Sequence, residues 1–381
     1  MNLFHRFQSH YYEKLPTFTR PKLVTQTHIR LVIAAGVLVG IFSIWSLTRL
    51  VSNDDIEQLE IKPVACPPHN KPYVSLDNYE YLNTMPFLRN ETFVPSSQQR
   101  GVFSSLYSDS YALGVAVLGR SIRRANVNAR LILPYIPSQV SSNALCIVET
   151  VGWELHPVPV LPPPHDGKDI FGRFKDQYTK LRLWSLGEEL GIKSAVYLDA
   201  DTLVLRNFDE LFNIPWNFGA ITDTYGDDRG FSISFNAGVL AFRPSRKTFE
   251  DMKSRLETAN FPLGEAEQAF LNLYFGAKVL RLPYVYNSNL AVKYRSTEVW
   301  KEMKDEMRVI HYTLIKPFWD WYIPNEELMT PERTREIVDD RAAHDNGFFK
   351  EEVDWWRDAF EGLMDEKGEA IRSCYPSTSS S

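Results

Sequence analysis

From residue 100 onward the apolar positions switch repeatedly between two spacings. Residues 101–107 read as an apolar strand, 110–125 carry apolar residues at helical spacing, 130–135 return to a strand, 138–151 to a helix and 153–158 to a strand. That alternation predicts a mostly parallel sheet with helices on both faces, and ligands beyond the carboxyl ends of the strands. Residues 161–174, with three consecutive prolines and two glycines, read as a surface loop. A helix over 175–190, strands over 218–222 and 234–242, helices over 247–258 and 265–275, and a strand over 278–282 follow. Residues 325–381 are charged, with Trp355, Trp356 and Phe360 on expected helical faces, and read as a helical extension; an acceptor or partner surface is the alternative.

One place breaks the pattern. The apolar strand at 193–198 runs into Asp199 and Asp201, which flank the small Ala200, and a second apolar run follows at once over 203–205. Two unpaired carboxylates buried there would cost several kcal/mol, so a divalent cation is a natural complement. The plainer reading, a strand end and a turn cap, stays open on local sequence alone. Of eight histidines, His311 alone ends an apolar strand and has a lysine five residues on, Lys316. An imidazole there can complete a metal site and an ammonium can meet phosphates, although a strand-end histidine is more often simply hydrogen-bonded.

The N-terminus differs from this globular pattern. Residues 31–47 carry no charge, and the stretch 31–51 approaches the length of a bilayer-spanning helix. Arg6, Lys14, Arg20, Lys22 and Arg30 precede it, whereas Asp54, Asp55, Glu57 and Glu60 follow, which predicts a cytosolic tail at 1–30 and a type II anchor. A cleaved signal peptide is the alternative. The proline-spaced segment 52–99 reads as a lumenal stem with one glycosylation sequon at Asn90. Cys66, Cys146 and Cys374 are too few for a disulfide scaffold; a Cys66–Cys374 pair would tie the stem to the tail, and three free thiols are the alternative. A formal charge of -6 argues against a nucleic-acid partner, and the chain holds neither a GxGxxG nor a P-loop.

Five ordered stretches carry a resemblance: TKLRLWSL at 179–186, YLDADTLVLRNFDELF at 197–212, FNAGVLAFRPS at 235–245, EQAFLNLYF at 267–275 and HYTLIKPFW at 311–319. Over about residues 100–320 the chain resembles the family 8 retaining glycosyltransferases, the glycogenin-like group with an α/β GT-A fold. The resemblance implies a catalytic domain at 100–324, a metal held by Asp199, Asp201 and His311, and a donor diphosphate held by Lys316. It places Tyr111 on the uracil with Leu106 and Ser108 nearby, and Asp199 with Ala200 beside the donor ribose. Lys180, Asp223, Asn236 and Ala237 line the implied sugar pocket. Lys180, Gln268 and Glu267 are the implied catalytic groups. The segment between His311 and Lys316 lacks the glycine of glycogenin, and Glu267 stands where an aspartate is expected.

The reaction implied is Mn(II)-dependent transfer from a UDP-sugar to a glycan or glycoprotein in the Golgi or endoplasmic reticulum. Small residues at Ala237 and Gly264 leave room for an N-acetyl group, which sets UDP-N-acetylglucosamine beside UDP-glucose as expected donors, with UDP-galactose and UDP-glucuronate behind them. A catalytically silent lumenal scaffold and a metal-dependent nucleotidyl enzyme are the alternatives. Oligomeric state stays open, with a homodimer among the expectations.

Overall fold

A computed structural model of the chain describes residues 94–319 and 322–376. The expected cytosolic tail, membrane anchor, most of the stem, Asn90 and Cys66 lie outside the described residues. Among the described residues no helix is long and apolar enough to cross a membrane.

The first half alternates β1 (Arg100–Phe103), α1 (Ala112–Arg124), β2 (Arg130–Tyr135), α2 (Ser142–Glu149), β3 (Glu154–Pro157), α3 (Leu183–Glu189) and β4 (Ser194–Leu198). Then come β5 (Thr202–Val204), β6 (Phe218–Thr224), β7 (Phe231–Phe242), α4 (Arg246–Leu256), α5 (Ala266–Phe275), β8 (Leu280–Leu282), β9 (Ser288–Asn289), α6 (Leu290–Arg295), α7 (Thr297–Met303), β10 (Val309–His311), α8 (Pro331–Ala343) and α9 (Lys350–Ser373). Seven strands form one sheet in the order β3-β2-β1-β4-β7-β6-β8. Its first four strands are parallel, β7 runs antiparallel to β4 and β6, and β8 is parallel to β6. A second sheet sets β10 antiparallel to β5 and parallel to β9.

Strand alternation sorts the core. In β4, Val196 and Leu198 join a cluster with α1, α2 and α9, whereas Ala195 and Tyr197 join a second cluster with α3, α4 and α5. The central strands are buried on both faces, as parallel strands between helical layers must be. The expected helix at 175–190 is instead a 3-10 helix, Gly172–Arg182, that passes into α3. Three residues per turn brings Gln177 and Lys180 onto one edge, and both line the same cleft. The strand expected over 101–107 stops at Phe103, with only an isolated bridge from Leu106 to Tyr135 beyond it.

α9 packs on α1 and α2 through Trp356 and Phe360. Its end is tied to α2 by a Cys146–Cys374 disulfide, with Cα atoms 5.6 Å apart. The expectation of a Cys66–Cys374 pair, or of free thiols, is therefore corrected: Cys374 is spent on Cys146, which α2 presents where α9 ends. Beneath α9, the Glu352 carboxylate is fully buried and receives Lys293 Nζ at 2.7 Å on both oxygens and Trp300 Nε1 at 2.9 Å.

Candidate functional site

The end of β4 delivers Asp199 and Asp201 to a cleft of about 440 Å³ at the carboxyl edge of the parallel strands. β5 turns back immediately, and its pairing with β10 sets Thr202 opposite His311. The two aspartates and the histidine are thereby brought together. His311 Nε2 lies 3.3 Å from Asp201 Oδ1 and 3.9 Å from Asp199 Oδ2. One ligand atom from each of the three lies within 4.8 Å of the others. Two carboxylates and one imidazole, with no thiolate among them, could hold a divalent metal ion.

Gly238 makes room for the imidazole. A Cβ there would fall on the His311 ring, only 2.7 Å from Nδ1. Lys316 follows on a segment whose Phe318 ring nests on Gly114 of α1 and stacks on Trp356 of α9 at 5.5 Å. It forms an ion pair with Asp201. Burial opposes the charge on Asp201, but the Lys316 ammonium and His311 outweigh it and hold this carboxyl well below the usual carboxylate range.

A second charged group lies deeper. Lys180 is 1% exposed, with its ammonium 2.7 Å from Glu267 Oε1, 3.2 Å from Asp199 Oδ1 and 4.7 Å from the Tyr197 ring centroid. Burial alone would discharge this lysine, yet Asp199, Glu267 and Tyr197 raise its pKa well above the ordinary value. Tyr197 donates to Asp199 Oδ1 at 2.6 Å, so this buried phenol buttresses one of the metal-facing carboxylates. Glu267 and Gln268 enter from the start of α5, where Ala266 takes a positive φ of 50° that costs about 1–3 kcal/mol unless the surroundings impose it.

Ser108, Tyr111, Lys180, Asp199, Ala200, Asp201, Asn236, Glu267, Gln268, His311 and Lys316 all line the cleft. Leu106, Asp223 and Ala237 do not. Leu106 is fully buried in the α1-side core, because the chain alternates beyond β1 and turns Ser105 and Tyr107 to the cleft in its place. Ala237 is 2% exposed with its side chain in the α3–α5 core; its N–H donates to Gln268 Oε1 and its carbonyl accepts from Lys180. Asp223, 3% exposed, accepts from Asn236 Nδ2 and Gln268 Nε2 behind the cleft, and burial raises its pKa despite those bonds. Of the two small residues expected to leave room for an N-acetyl group, only Gly264 lines the cleft. The sequence does not single out Tyr197, Ser105 or Asn287, which meets His311 Nδ1 at 3.0 Å. Alternation beyond β1 finds Ser105, and nothing local marks the other two.

A larger cavity, about 660 Å³, lies among α1, α2 and α9. Its Arg120 is bound to Glu366 and its Arg123 to the Val151 and Gly152 carbonyls, so it offers no comparable constellation.

The sequence model described as Glycosyl transferase family 8 matches residues 103–321, which contain every residue of this cleft except Asn325. The chain belongs to glycosyl transferase family 8. Its sheet is accordingly of the GT-A type, mixed and flanked by helices. Among family relatives, inositol phosphorylceramide glucuronosyltransferase 1 of Arabidopsis thaliana is 29% identical over 257 residues, 61% of this chain and 45% of that protein. Glycogenin-1 of Homo sapiens is 28% identical over 260 residues, 65% of this chain and 68% of that protein. Galactinol synthase 1 of Ajuga reptans is 29% identical over 236 residues, covering 53% and 67%. The chain thus spans less than half of the family 8 glucuronosyltransferase. Among solved structures, the galactosyltransferase LgtC with donor and acceptor sugar analogs aligns at 17% identity and a TM-score of 0.42, over 64% of this chain and 96% of that one.

Proposed function

We propose that this chain is a retaining, Mn(II)-dependent glycosyltransferase that moves a sugar from a UDP-sugar to a glycan or glycoprotein acceptor in the secretory pathway. The observation that carries the reading is the convergence of Asp199, Asp201, His311 and Lys316 on one cleft in a family 8 chain. When bound, the metal supplies charge stabilisation to the departing diphosphate. Lys316 binds the same diphosphate as a fixed cation beside Asp201, and in the free enzyme Asp201 keeps that ammonium in place. Tyr111 packs edge-on against Phe318 at 5.4 Å, which supports it as an aromatic wall for the base. Lys180 bridges Asp199 and Glu267 through ion pairs to both, and Gln268 lines the cleft with its amide bonded to Ala237 N–H and Asp223.

The lumenal placement is supported by the Cys146–Cys374 bond, since such bonds persist in oxidising compartments. UDP-glucose and UDP-N-acetylglucosamine remain the paired candidates for donor, with Gly264 as the position that separates them. Product analysis with purified full-length chain, Mn(II) and a panel of UDP-sugars tests the reading. Release of UDP with transfer or hydrolysis of the sugar is expected, abolished by a chelator. Turnover that survives the chelator sinks the metal assignment, preference for a GDP-sugar sinks the nucleotide assignment, and no turnover with any donor favours the silent scaffold.

A further inference from the structure

The hydrogen bonds behind His311 have a direction, and two neighbouring backbone amides fix it. Gly238 N–H donates to Asn236 Oδ1 at 2.9 Å, so the Asn236 atom that meets Asp223 Oδ1 at 3.1 Å is the amide nitrogen. The Asn287 atom that reaches Asn236 Oδ1 at 2.9 Å must then be a donor, Nδ2, which leaves Asn287 Oδ1 facing His311 Nδ1 at 3.0 Å. An amide oxygen only accepts, so Nδ1 carries a hydrogen in either charge state of the ring, and the neutral form is the tautomer whose Nε2 lone pair faces Asp199 and Asp201. At the far end Ala237 N–H donates to Gln268 Oε1 at 2.9 Å, and Gln268 Nε2 therefore donates to Asp223 Oδ2 at 2.9 Å.

From this geometry we infer that Asn287 is a positioning residue: it selects the metal-binding tautomer of His311 and, through Asn236 and Asp223, ties that ring to the orientation of Gln268. Asn287 is 1% exposed, Asp223 3% and Asn236 9%, so bulk water does not replace a missing partner in the chain. Five side chains from five separate stretches thus form one connected chain in which the imidazole arm and the Gln268 amide both donate toward Asp223. The inference rests on reading Asp199, Asp201 and His311 as the metal ligands.

Asn287→Ala and Asn287→Asp in the full-length chain test it, with Mn(II) affinity read from the electron paramagnetic resonance of the free ion. The kcat and KM for hydrolysis of UDP-glucose and UDP-N-acetylglucosamine are read in parallel. Asn287→Ala is expected to weaken Mn(II) binding by about 10–100-fold. Asn287→Asp restores an acceptor for Nδ1–H and is expected to bring Mn(II) affinity back to the wild-type range. It also sets an oxygen against Asn236 Oδ1, so its kcat is expected to stay depressed. Unchanged Mn(II) affinity in Asn287→Ala overturns the role, as does an Asn287→Asp protein that melts normally without regaining the metal. Recovery of both metal affinity and kcat in Asn287→Asp overturns the tie to Gln268. Should Asn287→Ala not fold, the near-isosteric Asn287→Asp decides alone. Asp201→Asn keeps the two levels apart: unaltered Mn(II) binding there refutes the metal reading itself, whereas its loss beside an unaffected Asn287→Ala refutes only the Asn287 role.

Discussion

Two groups of buried charges stand on either side of Tyr312. Under α9, Glu352 is wholly enclosed and each carboxylate oxygen is met by Lys293, with Trp300 adding a third donor. In the cleft, Asp199, Asp201 and His311 gather two acids and an imidazole around a common point that opens to solvent. Tyr312 touches both: its phenol donates to the Glu352 carbonyl and its N–H to the Asp201 carbonyl. The first group is closed, since every charge has its counter-charge and donors within reach. The second turns three ligand atoms to one point open to solvent, although Lys316 pairs with Asp201 and Lys180 with Asp199. Buried charge by itself distinguishes neither; what separates structure from chemistry is whether the paired groups also converge on a point that a ligand can reach.

The sharpest way to break that distinction is Asp201→Asn, which removes one acceptor and no core volume. Transfer is expected to fall by at least about 10³-fold, or about 4 kcal/mol of barrier, with the melting curve little changed; a large loss of stability with activity intact would place Asp201 with the closed group. Next in size, Glu352→Gln leaves Lys293 buried opposite a neutral amide. Denaturant unfolding is expected to show a loss of about 3–5 kcal/mol while kcat per folded molecule is retained. Cys146→Ser acts on the same side of the comparison and is expected to cost about 2–4 kcal/mol, seen as a lower melting temperature with unaltered KM for the donor. Smallest is Gly238→Ala, whose methyl group would push the His311 ring off its place. Calorimetric titration should record Mn(II) affinity down by about 10–100-fold, or about 1.4–2.8 kcal/mol, and an undiminished affinity would mean that the ring is not a ligand.

The cleft was partly legible in the chain because its acids interrupt an otherwise regular apolar pattern. Asp199 and Asp201 follow a strand that periodicity marks, and His311 ends another. What sequence could not supply was side-chain direction where the period lapses. Leu106 sits just past the end of β1, and a one-residue shift in phase exchanges it for Ser105 and Tyr107. Ala237 and Asp223 lie beside the irregular pairing of β6 with β7, where alternation is again lost. The closed group is illegible for a different reason. Lys293 and Glu352 are 59 residues apart, and nothing about either residue names the other. The same holds for the three cysteines, whose spacing is compatible with any pairing.

The Cys146–Cys374 bond also sets a clock on biosynthesis. The two residues are 228 apart, so Cys146 leaves the ribosome long before its partner exists. At roughly 5–20 residues per second it waits on the order of 10–50 s. Cys66 precedes Cys146 by only 80 residues, the difference of the two positions, and is the first thiol available to it. The native bond skips this earlier candidate and joins the second cysteine to the third. In an oxidising compartment the nascent chain therefore faces a premature 66–146 linkage that an isomerase must undo, or that early burial of α2 against α1 must forestall. Closing the correct bond certifies that everything between the two cysteines, Asp199, Asp201 and His311 included, has been made.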